Sequence, residues 1–203
     1  MNDEVLMARY QQGDVAAFAE LVARHEKRLW NFVRRFVADS ATAEDLLQEV
    51  FLRVVRNASE WHPSAKFTTW LYTIARNLCT DNARRGAFRK ADSLDQTPGA
   101  ARDESGQHRI DKVASPDGNA EKAAMDREIA TRVDQAVATL PVEQREVFLM
   151  REVMDMSFAE IATATKTSEP TVKSRMRYAL ERLRIALEEL RDDSGSAAVG
   201  STP

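Results

Sequence analysis

Residues 157–190 read SFAEIATATKTSEPTVKSRMRYALERLRIALEEL, and they decide the fold of the C-terminal part of the chain. Ser157 and Glu160 have the spacing of a capping box, which predicts the start of a short helix. After a turn of three residues, Thr167 or Ser168 caps a longer helix that runs to the end of this stretch. Two helices joined in this way predict a helix-turn-helix, and a plain bundle of three or four helices is the alternative.

The longer of these helices has two distinct faces. Apolar residues recur at helical spacing and predict a buried stripe, formed by Val172, Met176, Ala179, Leu180, Leu183 and Leu187. Facing away from this stripe are Ser174, Arg177 and Tyr178, with Lys173 and Arg175 on opposite flanks. A helix that enters a DNA groove needs this arrangement, because outward side chains read base edges and flanking cations contact phosphates.

Glycine and proline divide the chain into two modules. Four of the seven glycines and two of the six prolines lie between residues 86 and 118, where apolar periodicity is weak. Such a composition is typical of a linker. We therefore expect two small domains, at residues 1–86 and 119–191, joined by a flexible linker, 87–118, and followed by a disordered tail, 192–203.

Helical periodicity predicts three helices in the first domain, at about residues 14–37, 42–57 and 64–85. In the second domain it predicts a helix at residues 120–139 and another that Pro141 starts, a position that suits proline. No stretch shows the strong alternation of a strand, and the expected fold class is all-α.

The helix predicted at residues 64–85 carries a polar side without a carboxylate. This side collects cations, hydroxyls and an amide, from Lys66, Thr69, Thr73, Arg76, Asn77, Thr80 and Arg84. Because a solvated helix face usually mixes both charge signs, the exclusion of acids favours contact with a polyanion, and a solvated face of chance composition is the alternative.

Trp61 and Trp70 bracket the helix start. We expect Trp70 to lie in the core and Trp61 to be free to stack on unpaired bases.

The helix predicted at residues 42–57 has a different outward side, with Asp45, Gln48, Glu49, Leu52, Arg53 and Arg56. Leu52 lies in the middle of this polar side. An apolar centre with a polar rim is typical of a protein interface, although isolated exposed leucines are also common.

The overall charge of −3 hides a segregation of charge along the chain. Between Arg53 and Lys90 there are eight basic and two acidic residues, and from Lys173 to Arg191 six basic and three acidic ones. No apolar run approaches the ~20 residues of a membrane span, and the N-terminus has no signal-peptide core, so we expect no membrane insertion and a cytoplasmic protein.

The residues also argue against an enzyme. Cys79 is the single cysteine, which excludes an internal disulfide and a multi-cysteine zinc site, and the three histidines have no ligand spacing. A glycine-rich phosphate loop and a nucleophile–base pair at a recognisable spacing are missing as well. We therefore expect no cofactor, no metal and no catalytic residue.

Three stretches together resemble the sigma factors of the bacterial sigma-70 family, in particular the small extracytoplasmic-function (ECF) group. They are TAEDLLQEVFLR at residues 42–53, FTTWLYTIARNL at residues 67–78, and SFAEIA at residues 157–162 followed by TVKSR at residues 171–175. The resemblance covers the chain from Ala8 to Leu190 except for the linker. It implies a region 2-like domain and a region 4-like helix-turn-helix domain.

The resemblance implies a role for each stretch. It implies that core RNA polymerase, through its β′ coiled coil and β subunit, is a partner and that Asp45, Gln48, Glu49 and Leu52 dock on it. It implies contacts with the promoter −10 element and strand opening by Trp61, Lys66, Thr69, Arg76, Asn77 and Arg84, with a flipped base held by the loop at about residues 61–65. It implies contacts with the −35 element by Thr171, Lys173, Ser174, Arg175 and Arg177. An anti-sigma factor is a further implied partner.

One departure from the family concerns the DNA-facing end of the last helix. Where many relatives have Arg-Ala-Arg, this chain has Tyr178-Ala179-Leu180. We expect Leu180 to join the buried stripe, whereas Tyr178 could still reach the DNA backbone through its hydroxyl. The alternative function is a stand-alone helix-turn-helix regulator, which would bind duplex DNA tightly without polymerase.

The predicted linker allows two arrangements of the domains. Its 32 residues average ~30 Å between their ends but extend to ~105 Å. The two promoter elements lie on the order of 70–80 Å apart, so the linker bridges them only when it is stretched. In the free protein the domains could instead sit close together and hide their DNA faces, and we expect weak promoter binding by the isolated chain.

Overall fold

The computed structural model describes residues 1–37, 39–63, 66–92 and 120–197. These residues form helices and no strand, which confirms the all-α class. The helices are α1 (Asp3–Gln11), α2 (Val15–Phe36), α3 (Ser40–Arg56), α4 (Phe67–Asp92), α5 (Ala120–Thr139), α6 (Val142–Glu152), α7 (Phe158–Thr165) and α8 (Glu169–Ala197), with a short 3-10 turn at Ala58–Glu60. None of the helices in these ranges has the length and apolarity to span a membrane.

Helices α1 to α4 form the first domain. Asp14 caps α2 by accepting hydrogen bonds from the backbone N–H groups of Ala16 and Ala17, and Asp39 caps α3 in the same way. Helix α1 was not predicted. Its two buried residues, Leu6 and Met7, are adjacent in sequence, so they produce no helical periodicity.

Helices α5 to α8 form the second domain and contain the predicted helix-turn-helix. The capping box is confirmed: the Ser157 side chain accepts from the Glu160 N–H, and the Glu160 carboxylate accepts from the Ser157 N–H at 2.8 Å. Lys166 ends α7 in the left-handed conformation, with φ of 55°, and so turns the chain toward α8. Ser168 then caps α8, its hydroxyl accepting from the Thr171 N–H.

Two helices extend further than the sequence predicts. Helix α4 continues through Gly86 to Asp92, and α8 continues through Gly195 to Ala197. A glycine inside a helix costs only about 1 kcal/mol, and propagating an existing helix is much easier than starting one. Helical structure therefore continues past residues 86 and 191, at which the sequence predicts the two domains to end. The rest of the predicted linker, residues 93–118, and residues 198–203 of the predicted tail lie outside the described residues.

The two domains pack against each other. Helix α6 contacts α2 and α4, α7 contacts α4, and α5 contacts α2. Arg145 of α6 reaches across this boundary, since its guanidinium donates to the backbone carbonyl of Phe36 at 3.1 Å. Within its own domain it also donates to the carbonyl of Leu140 at 3.0 Å. The second domain thus covers part of the polar side of α4.

Candidate nucleic-acid interface

The outward side of α8 is open to solvent. Its candidate residues, called here the α8 surface, are Thr171, Lys173, Ser174, Arg175 and Arg177. All of them are exposed except Arg175, which is half-buried. Lys173 pairs with Glu169 one turn earlier, at 2.7 Å, and Arg177 lies over the ring of Tyr178, 5.0 Å from its centre. This surface presents cations and hydroxyls along one helix, as contact with a DNA groove requires.

The predicted buried stripe of α8 is correct at four positions and wrong at two. Val172, Met176, Ala179 and Leu183 are buried, but Leu180 is 50% exposed and Leu187 is 37% exposed. At ~100° per residue, Leu180 lies about 70° around the helix from the centre of the four buried residues. Leu180 and Tyr178 (48% exposed) therefore leave apolar surface exposed on α8.

The outward side of α3 is also open. Its candidate residues, called here the α3 surface, are Asp45, Gln48, Glu49 and Leu52; Glu49 is half-buried and the other three are exposed. Leu52 is 48% exposed. Glu49 accepts a hydrogen bond from Arg53 Nε at 3.0 Å and lies 3.7 Å from Arg56 Nη1. An exposed leucine thus lies beside an ordered cluster of charges, as the sequence predicts.

The polar side of α4 is partly covered by the second domain. Its candidate residues, called here the α4 surface, are Lys66, Thr69, Arg76, Asn77 and Arg84. Lys66, Asn77 and Arg84 are exposed, while Thr69 and Arg76 are half-buried. The hydroxyls of Thr73 and Thr80 do not point outward; they donate to backbone carbonyls one turn earlier, at 2.7 and 2.9 Å. This internal bond allows Thr80 to be buried, contrary to its predicted place on the outward side.

Two carboxylates of the second domain bind cations of the α4 surface. Glu160 of α7 lies 2.9 Å from Lys66 Nζ and accepts a longer hydrogen bond, of 3.4 Å, from the Thr69 hydroxyl. Glu146 of α6 binds Arg76 Nη2 with both oxygens, at 2.9 and 3.0 Å. We call Lys66–Glu160 and Arg76–Glu146 the interdomain ion pairs.

The electrostatics of the two pairs differ. Glu146 is 1% exposed, and this burial raises the pKa of its carboxyl, although the hydrogen bond and charge of Arg76 act in the opposite direction. Burial also acts to raise the pKa of Glu160, but the hydrogen bonds from Lys66 and Ser157 outweigh it and hold that pKa at about 2. The carboxylate of Glu160 therefore stays ionised beside Lys66 at any ordinary pH.

The prediction that Trp61 is free is wrong, whereas Trp70 packs against the hydrophobic core. Trp61 is only 2% exposed, and Trp70 is half-buried. Trp61 packs edge-on against Phe67, which buries it at the end of the helical bundle, so its ring face cannot stack on a base in this conformation. Its indole Nε1 is buried and has no hydrogen-bond partner among the described residues. Trp61 also lines a cleft of about 630 Å³ together with Tyr10, His62 and Pro63.

Sequence reasoning missed the role of Glu146 and treated Glu160 only as a helix cap. A signal for Glu146 was present, because it lies on the same side of α6 as Val142, Leu149 and Met150. A carboxylate on an apolar helix face is rarely buried without a cation as partner. No such signal marks Glu160, since its capping role already explains a glutamate at that position.

Within the described ranges, no group of three or more His, Cys, Asp or Glu side chains could hold a metal ion. Cys79 is buried, and burial raises the pKa of its thiol to about 12. The three surfaces present cations, hydroxyls, amides, the carboxylates of Asp45 and Glu49, and the exposed Leu52.

Comparison with known proteins agrees with this description. The family model Sigma-70 region 2 matches residues 21–99, and the model Sigma-70, region 4 matches residues 130–183. RNA polymerase sigma-H factor of Pseudomonas aeruginosa is 33% identical over 189 residues, which cover 93% of this chain and 95% of that protein. ECF RNA polymerase sigma-E factor of Escherichia coli is 30% identical over 185 residues, which cover 89% and 92%.

Solved structures show the same fold. CnrH, in complex with the cytosolic domain of CnrY, superposes with a TM-score of 0.66 at 23% identity and covers 92% of this chain and 97% of that one. The sigma factor RpoE of Bartonella quintana, in complex with the anti-sigma factor NepR, gives a TM-score of 0.64 at 20% identity and covers 84% and 96%. With both family regions present in order, and with relatives matched over nearly their whole length, this chain belongs to the sigma-70 family, in its extracytoplasmic-function group.

Proposed function

We propose that this chain binds core RNA polymerase through the α3 surface, contacts the −35 element through the α8 surface, and contacts the −10 element through the α4 surface during strand opening. One observation carries the proposal: the α4 surface binds two oxyanions in the structure itself, the carboxylates of Glu160 and Glu146. Phosphate oxygens of a DNA strand offer the same cations an equivalent partner. Polymerase supplies the bond chemistry, and this chain supplies the promoter address.

Exposure supports the −35 assignment. The α8 surface begins at the N-terminal end of α8, where backbone N–H groups and the positive end of the helix dipole favour a phosphate. Lys173 is 57% exposed at its side chain, so it can leave Glu169 for a phosphate at little cost, because exposed ion pairs within a helix contribute little. Ser174 and Arg177 extend the same surface toward the base edges.

The proposed contacts with the −10 element come from the cations of the α4 surface and from the loop before α4. A flipped base loses a few kcal/mol of stacking and pairing, which contacts with the protein must offset. We propose that the base enters the cleft lined by Tyr10, Trp61 and His62, which offers it aromatic side chains. Lys66 and Arg84, at opposite ends of the α4 surface, would then hold the strand on either side.

The α3 surface suits a protein partner. Asp45, Gln48 and Glu49 supply polar contacts around Leu52, and the charges near Leu52 are already ordered by Arg53. An ordered rim loses less side-chain entropy when the partner binds. We propose the β′ coiled coil of polymerase as this partner, with further contacts between the second domain and the β subunit.

An anti-sigma factor is the second proposed partner, and the cytoplasm the proposed location. One solved structure with this fold contains such a companion, since RpoE is bound to the anti-sigma factor NepR. CnrH is also bound to a protein partner, the cytosolic domain of CnrY. Purification of the tagged chain from its own cells tests this partner. We expect one protein to co-purify in stoichiometric amount and to be displaced when core polymerase is added.

Run-off transcription tests the main proposal. Purified core polymerase with this chain should initiate at specific sites on a genomic template, and core alone should not. Arg84→Ala should lower open-complex formation while leaving the affinity for core unchanged, and Lys27→Ala, which removes an exposed cation of α2, is the matched control. Tight, specific duplex binding without polymerase, together with no initiation, would instead show a stand-alone regulator.

A further inference from the structure

Helix α1 reaches the segment that precedes α4 with two side chains. Glu4 and Gln11 are seven residues apart, close to two helical turns, and therefore lie on the same side of α1. Glu4 accepts a hydrogen bond from the backbone N–H of Phe67, the first residue of α4, at 3.1 Å. Gln11 donates to the backbone carbonyls of Ala58 and Trp61, at 2.7 and 2.9 Å. One helix therefore holds the beginning of this segment and the start of α4 that follows it.

The side-chain amide of Gln11 uses its N–H groups on this segment. A carbonyl oxygen can only accept, so Nε2 and not Oε1 must face Ala58 and Trp61. Ala58 begins the short 3-10 turn and Trp61 follows it, and the Trp61 N–H donates to the Ala58 carbonyl at 3.3 Å. This bond is longer than the usual ~2.9 Å, so the shorter contacts that fix the turn are those from Gln11.

Helix α1 is itself firmly attached to the rest of the first domain. Leu6 and Met7 are fully buried. The carboxylate of Asp3 lies 2.7 Å from His25 Nε2 and 3.0 Å from Arg24 Nη1, both on α2. Because α1 is held by packing and by these polar contacts, its last turn has a fixed position from which a side chain can hold a neighbouring segment.

Gln11 is not needed to fill the core. It is exposed, whereas Ala58 and Trp61 are buried. The amide of an exposed glutamine can be satisfied by water, so its two bonds to the segment fix a position and contribute little to packing. Gln11 also lines the cleft of Tyr10, Trp61 and His62, in which the proposed function places the flipped base. The present inference rests on that proposed function.

We propose that Gln11 is a positioning residue for recognition of the −10 element. Its amide holds the carbonyls of Ala58 and Trp61 and thereby fixes the wall of the cleft that receives the flipped base. A cleft with a fixed wall discriminates between bases of different size and hydrogen-bonding pattern, whereas a cleft with a free wall adapts to each of them. Gln11 therefore sets the base preference at this position by acting through the segment.

Fluorine NMR of the free chain tests the positioning. The three tryptophans, labelled as fluorotryptophan, give one resonance each, and Trp61→Phe identifies that of Trp61. Gln11→Met nearly keeps the length of the side chain and removes both donors. It should shift and broaden the Trp61 resonance and leave that of Trp30, on α2, in place. Gln12→Met, at the exposed neighbouring residue, is the matched control and should leave all three unchanged. An unmoved Trp61 resonance in Gln11→Met refutes the proposal.

Promoter selection tests the role in recognition. Core polymerase with the unaltered chain should form open complexes with unequal efficiency on templates that carry different bases at the flipped position. Gln11→Met should reduce the ratio between the best and the worst base there about fivefold, and Gln12→Met should keep it. The preferences within the −35 element and the affinity for core should be the same in all three proteins. Equal loss on every template is the mark of a folding defect, and that result overturns the positioning role.

Gln11→Glu separates the donors of the side chain from its shape. An ionised carboxylate has nearly the shape of the amide but can only accept, so it repels the carbonyls of Ala58 and Trp61. This variant should reproduce both effects of Gln11→Met. Discrimination equal to that of the unaltered chain would show that the donors of residue 11 have no role, and would overturn the proposal.

The outcomes separate this proposal from the promoter function on which it rests. If the unaltered chain initiates at no promoter, the promoter function fails, and the fluorine spectra still decide whether Gln11 fixes the segment. If run-off transcription succeeds and Gln11→Met discriminates between bases like the unaltered chain, the role of Gln11 fails and the promoter function stands.

Discussion

Leu52 offers the sharpest test of the α3 surface, since it is apolar, central and 48% exposed. Full burial of a leucine side chain stabilises by about 1.5–3 kcal/mol, so covering the exposed half on docking contributes about 1 kcal/mol. Leu52→Ala should therefore weaken binding to core polymerase about fivefold. Leu52→Asp places a carboxylate in an apolar contact, which costs several kcal/mol, and should weaken binding at least about 100-fold.

The same changes should barely affect the fold. Leu52 lies outside the buried core, and surface substitutions usually change the free energy of unfolding by about 0.5 kcal/mol or less. Val15→Asp is the matched control, because Val15 is 71% exposed on a different helix, α2. A fluorescence titration of labelled chain with core polymerase should rank the unaltered chain and Val15→Asp together, then Leu52→Ala, then Leu52→Asp.

Two results would refute this reasoning. Binding of Leu52→Asp with the affinity of the unaltered chain would show that α3 docks through another side. An equal loss in Val15→Asp would show that any added acid weakens binding, and the leucine would then have no special place.

Three further predictions concern single side chains. Because the pKa of Glu160 is lowered from 4.5 to about 2, its contribution to stability is complete above pH 4.5 and is lost as the pH falls toward 2. The unfolding temperatures of the unaltered chain and of Glu160→Gln should therefore differ at pH 6 and converge near pH 2. A constant difference between the two temperatures would contradict the assigned pKa. Because burial raises the pKa of Cys79 to about 12, a thiol reagent at pH 8 should label it only on unfolding, and rapid labelling of the native chain would be inconsistent with its position in the core. In the polymerase complex, a plot of log affinity for promoter DNA against log salt concentration should have a slope that Lys173→Ala reduces in magnitude by about 0.9. The Lys27→Ala control should leave the slope unchanged. An unchanged slope in Lys173→Ala would exclude a phosphate contact.

Local patterns predicted most of the fold because each depends on neighbours in sequence. The capping box of α7 and the helix α5, at Ala120–Thr139, are confirmed as predicted. The same patterns failed where the burial of a residue depends on whether a residue from another element packs against it. Leu180 is at the edge of its stripe, and only the absence of a covering element among the described residues leaves it exposed. Trp61 is buried because Phe67 packs against it, which no periodicity in the loop before α4 could indicate.

The α4 surface shows both what the sequence of one helix can predict and what it cannot. Its lack of acids is a property of one helix, and from it the sequence predicted a polyanionic partner. In the structure the anions are Glu146, 70 positions after Arg76, and Glu160, 91 positions after Thr69. The sequence of α4 alone cannot indicate either of them. A surface that excludes its own acids leaves its cations open to any oxyanion that approaches. The proposed binding of phosphate and the observed pairing with carboxylates therefore share one physical cause, because Lys66 and Arg76 attract any oxyanion that approaches them.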